Sequence, residues 1–263
     1  MGSIQAPTAD QGLGETLLDG DDVESLPEDV APDEPRFELP PCDPRAVAEL
    51  CETLDLNPLV AQTLVRRGIA DRQSAMEFLD GGELEAAERL PGALAVAGKI
   101  AKHVRAGSRI AVHGDYDVDG VCSTAILVRT LDRLGAQVTW HVPSRFNEGY
   151  GLSASAIERL AADGAGLIVA VDCGVTAVAE TELTRSLGAD VAICDHHTPG
   201  ETLPDAPIAH PALGEYVCPQ LCAAAVTFKV CQVLAGELGT DPAILDDELA
   251  LVALATVCDV VPL

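Results

Sequence analysis

Short apolar runs alternate with stretches of helical pattern from about residue 93 onward, and this alternation limits the possible folds more than any other feature. The runs lie at 110–113, 138–142, 167–171 and 191–194. Helical patterns fill the gaps between them, near 120–134, 153–163 and 176–187. Strands that alternate with helices along a chain build βαβ units, in which the strands run parallel. The sequence therefore predicts an α/β fold with a mainly parallel sheet flanked by helices.

The amino-acid composition agrees with this fold. Hydrophobic residues make up 48% of the 263-residue chain, but aromatic residues only 3%. The core must therefore consist mainly of Ala, Val, Leu and Ile, the residues that fill a parallel sheet covered on both faces. Two further helices are expected, a long buried one at 220–236 and a last one at 246–259 with Asp246 as its candidate cap.

Two segments precede this main domain, which we expect to span 93–263. Residues 1–40 hold eleven acidic side chains against one arginine and show no hydrophobic periodicity. Such a composition is typical of disorder, so we predict a disordered acidic tail. Residues 41–92 are predicted to form a small helical lead-in.

Three helix starts are predicted within the lead-in. Asp43 and Asn57 each precede a proline, the arrangement of an N-cap followed by proline in the first turn. Asp71 is expected to cap a third helix that ends at Gly81 and Gly82. The side chains of that third helix expected to pack inward are Met76, Phe78 and Leu79.

Polar clusters follow three of the predicted strands at the point where each strand ends. These clusters are Asp115, Asp117 and Asp119, then Asp172, and then Asp195, His196 and His197. Because ligands of open parallel sheets bind outside the carboxyl ends of the strands, we expect all of these side chains at one rim. So many carboxylates would repel one another, and divalent cations are the simplest way to hold them together. The mixture of Asp with His favours Mn²⁺, with Mg²⁺ as the alternative.

Three more residues are candidates for the same site. Asp259 ends the apolar stretch of the last predicted helix, where a buried carboxylate needs a partner that a metal ion would supply. Ser123 and Thr124 follow the first acidic cluster near a predicted helix start, where they could donate hydrogen bonds to a phosphate. Ordinary capping explains these two hydroxyl groups equally well.

These segments, taken in order, resemble the motifs of the DHH phosphoesterase family. The triplet Asp195-His196-His197 gives that family its name, and the matching segments around it are 114–120, 171–175 and 259–263. Within that family the sequence more closely resembles the RecJ exonucleases, because segment 145–152 and the helical lead-in also match. It covers about residues 45–263 and implies the α/β fold of the family.

The resemblance also implies a role for each matching residue. The ligands implied for one metal ion are His113, Asp117 and Asp172. The ligands implied for a second ion are Asp119, Asp172, His196 and Asp259, so that Asp172 would bridge the two. His197 would face the scissile phosphate, and Arg145 would contact a phosphate near the site. Asp115 and Asp195 would be either ligands or groups that orient a ligand.

A resemblance to RecJ implies a hydrolase, a two-metal exonuclease that degrades single-stranded DNA from 5′ to 3′ in DNA repair and recombination. Candidate protein partners are a repair helicase or a single-strand-binding protein. Two alternatives stay open, a family phosphoesterase acting on short oligonucleotides or cyclic dinucleotides, and a non-catalytic replication or repair scaffold. All the expected ligand positions are filled, which favours an enzyme over a scaffold.

The net charge of −26, with only three lysines, argues against wide non-specific binding of nucleic acid by this chain. RecJ relatives continue into a nucleic-acid-binding domain and an OB-fold, so we expect a basic DNA groove there and weak activity for this part alone. The sequence has no 18-residue apolar run and no secretory signal. Its nine cysteines form no regular framework, which indicates reduced thiols and a cytoplasmic protein without a membrane partner.

Overall fold

The computed structural model describes residues 41–81, 84–146, 149 and 151–262. The chain divides into two compact units, Met1–Gly82 and Glu83–Leu263. The predicted acidic tail at 1–40 lies outside the described residues, and so do Asn147, Glu148 and Tyr150 of the 145–152 segment. The predicted domain boundaries at 40 and 92 stay predictions.

Three short helices form the described part of the first unit. They are α1 (Pro44–Leu54), α2 (Pro58–Arg66) and α3 (Arg72–Asp80). The predicted capping residues Asp43, Asn57 and Asp71 are confirmed, because each side chain accepts a hydrogen bond from a backbone amide of the first turn. The helices enclose a small core of buried apolar side chains, namely Leu50, Ala61, Leu64 and Ala75.

The inward packing predicted for α3 was wrong for two of its three residues. Phe78 and Leu79 are 41% and 46% exposed, while Met76 is half-buried. The buried residue of this helix is Ala75. The small side chain of Ala75 allows the helices to approach closely, and the Arg67 guanidinium lies over the outer Phe78 ring at 5.2 Å from its centroid.

A five-stranded sheet forms the centre of the second unit. Its strands are β1 (Arg109–His113), β2 (Gln137–His141), β3 (Ala165–Val171), β4 (Asp190–Cys194) and β5 (Ile208–Ala209). They lie in the order β2-β1-β3-β4-β5, and every neighbouring pair is parallel. The predicted α/β fold with a parallel sheet is thereby confirmed.

Helices cover both faces of this sheet. They are α4 (Ala93–Arg105), α5 (Val118–Arg133), α6 (Ala154–Ala162), α7 (Val178–Ser186), α8 (Ala223–Glu237) and α9 (Leu249–Cys258). Strand residues such as Val112 and Val169 share one core with α4, α5 and α8, whereas the intervening Ala111 and Ile168 pack on α6. Alternate strand residues thus face opposite layers. No helix of the described ranges is long and apolar enough to cross a membrane.

Four details differ from the sequence prediction. Helix α4 and the two-residue strand β5 had no predicted counterpart, and α8 begins at Ala223 instead of residue 220. The last helix begins at Leu249, so the proposed capping role of Asp246 was wrong. Asp246 lies inside a preceding 3₁₀ stretch, Pro242–Glu248, because Pro242 starts that stretch with the Asp241 side chain as its cap.

The order of the strands determines where a ligand site can form. From β1 the chain moves outward to β2, returns to β3 on the other side of β1, and continues outward to β4 and β5. The direction therefore reverses between β1 and β3, and a crevice opens there at the carboxyl ends of the strands. The residues that follow β1, β3 and β4 border this crevice.

A substitution at Gly92 can test how tightly the start of α4 packs against β5. A methyl group at Gly92, which has φ of +80°, would lie 1.7 Å from the carbonyl oxygen of Ile208. We expect Gly92→Ala to lower the free energy of unfolding by about 3 kcal/mol or more, measured by urea denaturation. Gly107→Ala is the control, because φ is +64° there but the space is open, and it should cost only about 1 to 2 kcal/mol. Equal losses would contradict the close contact.

Candidate metal centre

The loop after β1 places the first acidic cluster against the start of α5. The Asp117 carboxylate accepts a hydrogen bond from the Gly120 amide at 2.9 Å and so caps the helix. A Cβ atom on Gly120 would lie 2.6 Å from backbone atoms of Asp115, so the first turn of α5 rests directly on the buried Asp115. Glycine at this position is what allows the helix and the acidic loop to approach so closely.

Asp119 binds the amino-terminal end of a second helix. Its two carboxylate oxygens accept hydrogen bonds from the amides of Ala223 and Ala224, each at 2.7 Å. The capping position of α8, Cys222, supplies no side-chain bond of its own. Burial raises the pKa of Asp119, and these two bonds from the positive end of a helix oppose that rise. Asp119 therefore caps α8 from a distant part of the chain.

Asp172 follows β3 in a left-handed backbone conformation, with φ of +60°. This conformation is uncommon outside glycine and is found where a side chain must be aimed in one direction. The side chain is buried, and burial, the largest influence, raises its pKa to about 7. Its Oδ1 atom lies 3.5 Å from His196 Nε2.

His196 lies among three carboxylates that come from separate elements. Its Nε2 atom is 3.5 Å from Asp172, 3.6 Å from Asp119 and 3.7 Å from Asp259. Burial alone would lower the pKa of His196, but the hydrogen bond to Asp172 and the negative charges around the ring outweigh that influence and raise it. Tertiary folding thus brings the ends of β3, α5, α9 and β4 to one point.

Asp195 holds the loop that carries both histidines. Its carboxylate accepts hydrogen bonds from the Val175 amide at 2.8 Å, the His196 amide at 2.8 Å and the His197 amide at 3.2 Å. It also lies 2.8 Å from His197 Nδ1. Burial would raise the pKa of Asp195, but these bonds outweigh it and hold the pKa below its usual range. This geometry favours an orienting role for Asp195, one of the two roles inferred for it.

The same contact with Asp195 favours protonation of the His197 ring. The hydrogen bond to Asp195 raises the pKa of His197 to about 9, which favours the cationic form of the ring. The side chain is 42% exposed, at the mouth of the crevice. A cation held at this place can stabilise a negatively charged group that enters from solvent.

Three groups of side chains in the described residues have ligand atoms within 4.8 Å of one another. They are Asp115, Asp117 and Asp172; Asp172, His196 and His197; and Asp119, His196 and Asp259. The donors are carboxylate and imidazole atoms, which suit Mn²⁺ and similar ions. The buried Oδ1 atom of Asp115 has no hydrogen-bond partner in the described parts of the chain. The residues therefore fit two adjacent divalent cations that share Asp172.

These groups bring together several of the side chains that the sequence resemblance implies as ligands. Asp119, His196 and Asp259 lie together, as expected for the second ion. Asp117 and Asp172 lie together as expected for the first, but Asp115 joins them in place of His113. His113 is buried at the same rim, with its Nδ1 atom 3.9 Å from Cys173 Sγ and its ring edge-on to His141 at 5.2 Å. Its ligand role stays a prediction.

The three residues expected to bind substrate lie in different surroundings. The exposed Arg145 guanidinium covers the Tyr116 ring at 4.8 Å from its centroid, and its charge lowers the pKa of Asp115 against the larger effect of burial. Thr124 is nearly buried in the second turn of α5, where its hydroxyl donates to the Gly120 carbonyl. Ser123 is fully buried beside it. Arg145 is thus open to a ligand, whereas Thr124 is engaged by its own helix.

Sequence reasoning missed three contributors to this centre. The amides of Ala223 and Ala224 bind Asp119, Tyr116 supports Arg145, and His210 contacts the histidine loop. Tyr116 could have been noticed, because it lies between two of the acidic residues. No local pattern indicated the others, since their contacts join distant parts of the chain.

Comparison with known proteins relates this geometry to one family. Residues 109–256 match the DHH family, N-terminal domain. The single-stranded-DNA-specific exonuclease RecJ of Bacillus subtilis is 38% identical over 87% of this chain and 29% of its own length. The corresponding exonuclease of Thermus thermophilus is 41% identical over 66% of this chain and 26% of its own length. The chain spans less than a third of the length of these two relatives.

Solved structures show the same similarity. RecJ from Thermus thermophilus in complex with Mn²⁺ is 32% identical, with a TM-score of 0.69, over 86% of this chain and 32% of that protein. A crystal structure of exonuclease RecJ bound to manganese is 38% identical, with a TM-score of 0.63, over 68% of this chain and 46% of that protein.

The raised pKa of Asp172 predicts how the stability of the metal-free protein depends on pH. Between about pH 4 and 7 the folded protein keeps a proton on this carboxyl that the unfolded chain releases. The stability contributed by this group is therefore present at low pH and is lost as the pH rises through 7. We expect Asp172→Asn to raise the melting temperature relative to the wild type by about 5 °C more at pH 8 than at pH 5, both measured with a chelator present.

Calorimetry at the two pH values decides this prediction. Asp132→Asn is the matched control, because it makes the same chemical change at an exposed position of α5. If the melting temperatures of Asp172→Asn and the wild type differed by the same amount at both pH values, Asp172 would not be protonated in the folded state.

Proposed function

Because the chain belongs to the DHH family, we propose that it forms the catalytic centre of a RecJ-like exonuclease, a metal-dependent hydrolase of single-stranded DNA. The family match over 109–256 confirms the resemblance inferred from the motifs. The observation that carries the proposal is Asp172, which shares one ligand group with Asp115 and Asp117 and another with His196 and His197. A carboxylate in this position can bridge two ions.

Two divalent cations are the proposed cofactors, with Mn²⁺ preferred and Mg²⁺ as the alternative. Such a pair would supply an activated water molecule and would offset charge on a scissile phosphate. The ligands proposed for one ion are Asp117 and Asp172, with Asp115 or His113. The ligands proposed for the second are Asp119, Asp172, His196 and Asp259. The relatives solved with manganese support this choice of metal.

The protein's own groups prepare the site for an anionic substrate. Asp195 fixes the orientation and the charge of His197, whose cationic ring lies at the mouth of the crevice. A phosphate entering there would receive a charge-assisted hydrogen bond from this ring. We propose that His197 stabilises the negative charge that develops on the phosphate during hydrolysis, while Asp195 orients His197.

Arg145 is the proposed contact for a phosphate of the bound strand. Its guanidinium is exposed, and Tyr116 supports it from below at 4.8 Å. A guanidinium held flat on an aromatic ring keeps its edge available for a phosphate, which it can bind with two hydrogen bonds. The buried Ser123 and Thr124 keep only a predicted role in binding.

The biological setting is also part of the proposal. RecJ relatives are named as single-stranded-DNA-specific exonucleases, which supports single-stranded DNA as the substrate of the whole protein. We propose digestion from 5′ to 3′, in DNA repair and recombination, as its activity. A repair helicase or a single-strand-binding protein is the proposed protein partner, and the cytoplasm the proposed location. The acidic chain would need a basic groove from elsewhere to hold long DNA.

Removal of Asp172 tests the catalytic proposal directly. In a full-length RecJ-type chain carrying this domain, Asp172→Ala should lower the Mn²⁺-dependent release of nucleotides from a 5′-labelled single strand by at least about 1000-fold. That exceeds the 10- to 100-fold loss typical of a residue that only orients a ligand. Asp132→Ala, at an exposed position of α5, should keep wild-type activity.

Two results would count against the nuclease. Cleavage of short oligonucleotides or cyclic dinucleotides but not of long single strands would indicate a different phosphoesterase of the family. Absence of Mn²⁺ binding in the wild type would indicate a scaffold.

Arg145 is expected to act mainly on substrate binding. Arg145→Ala should raise KM for single-stranded DNA by about tenfold with a smaller effect on kcat, because a phosphate contact outside the reacting bond contributes about equally to ground and transition states. Arg145→Lys should recover only part of the affinity, since a lysine lacks the two-pronged geometry. Arg185→Ala is the control, an exposed arginine paired with Asp205. An unchanged KM in Arg145→Ala would exclude the phosphate contact.

A further inference from the structure

His210 is a fully buried histidine that immediately follows the short strand β5. Its backbone amide donates to the Pro91 carbonyl at 3.0 Å. One residue earlier, the Ala209 carbonyl accepts from the Asp195 amide at 3.1 Å, so β5 extends the sheet up to the histidine loop. The main chain around His210 is therefore held at a constant distance from that loop.

Both ring nitrogens of His210 have definite hydrogen-bonding roles. Nδ1 lies 3.0 Å from the Ala212 amide, which can only donate, so Nδ1 carries a lone pair. Nε2 lies 2.8 Å from the His197 carbonyl, which can only accept, so Nε2 carries the proton. The two contacts together define a single neutral tautomer. Burial lowers the pKa of His210, in agreement with a neutral ring.

The bond to His197 completes the support of the histidine loop. Asp195 holds the loop from its beginning, through the amides of His196 and His197. His210 holds it from its end, through the His197 carbonyl. Between these two anchors the rings of His196 and His197 lie 4.7 Å apart at 67°.

The placement of the two rings is sensitive to this support. His196 Nε2 lies between 3.5 and 3.7 Å from three carboxylates, and a displacement of the loop backbone would change all three distances. Ligand positions must be kept within about 0.5 Å for full activity. A rigid anchor at the end of the loop meets this requirement.

We propose that His210 is a positioning residue, which keeps His196 and His197 in place by donating its Nε2 proton to the His197 carbonyl. The proposal rests on the proposed function for its effect on catalysis, but its effect on metal binding is independent of any nuclease activity. His210 touches neither substrate nor metal and acts through the loop alone.

Two substitutions at His210 separate positioning from simple packing. His210→Leu fills a similar space but makes neither hydrogen bond, whereas the His210→Gln side chain can return a donor near the position of Nε2. We expect His210→Leu to bind Mn²⁺ about tenfold more weakly and to reduce kcat by about 10- to 100-fold with little change in KM. His210→Gln should recover most of both losses. Titration calorimetry gives the affinity for Mn²⁺, and turnover of a single-stranded oligonucleotide gives kcat.

A control variant accounts for lost stability. Ile157→Ala removes a buried side chain on the opposite face of the sheet, in a core that does not include the rim. It should lower the melting temperature while leaving the Mn²⁺ affinity and kcat of the folded protein unchanged. Two results would overturn the positioning role. One is an equal loss of Mn²⁺ affinity and kcat in Ile157→Ala and His210→Leu at equal stability. The other is a His210→Leu variant with the Mn²⁺ affinity and kcat of the wild type.

The tautomer can be measured in the wild-type protein without any substitution. Long-range proton–nitrogen NMR correlations of the imidazole should show a protonated Nε2 and an unprotonated Nδ1 in His210. The opposite tautomer would overturn the proposal even if His210→Leu did not fold. If Mn²⁺ affinity followed the expected order of variants while the wild type degraded no DNA, the positioning role would stand and the proposed nuclease function would fail.

Discussion

Repulsion between carboxylates at one rim of the sheet is the constraint on which the rest of the site depends. Asp115, Asp119 and Asp172 each expose about 1% of their surface, although buried charges of the same sign destabilise a protein strongly. The protein offsets this with donors from its backbone and with histidines. Burial nevertheless raises the pKa of all three groups, that of Asp172 to about 7. The buried carboxylates of this centre therefore require nearby positive charge. Divalent cations would supply that charge in the most compact form.

Several residues of the site also determine the local structure around it. Asp117 caps α5, and Asp119 caps α8 through the amides of Ala223 and Ala224. Because the same carboxylates are proposed metal ligands, their directions are determined by helix ends that are themselves packed into the core. Twelve of the fifteen residues of α8 are buried, so the helix end that binds Asp119 has little freedom to move. A ligand that also caps a buried helix loses little entropy when it binds a metal ion.

The last ligand reaches the rim by a different route. Asp259 ends α9, and the start of that helix is anchored by Glu248, a fully buried carboxylate. Glu248 Oε1 lies 2.9 Å from Arg129 Nε and 3.0 Å from Arg133 Nη2, both on α5. The two helices that supply Asp119 and Asp259 are therefore joined, at the end away from the crevice, by ion pairs between the buried Glu248 and two partly exposed arginines. Two charges paired with one carboxylate offset the cost of burying it, and they orient α9 toward His196.

Local patterns in the sequence determined the α/β class, four of the five strands, the capping roles of Asp43, Asn57 and Asp71, and the collection of Asp and His residues at strand ends. Each of these depends on periodicity or on hydrogen bonds between neighbours in the chain. Only the tertiary structure decided that Asp119 binds the start of α8, more than a hundred residues away, that His210 contacts the histidine loop, and that Phe78 and Leu79 face outward. It also revealed β5, whose two residues are too few to form a pattern. These features arise from contacts between segments that are distant in the sequence. The residues next to each position therefore cannot predict which partner it contacts after folding.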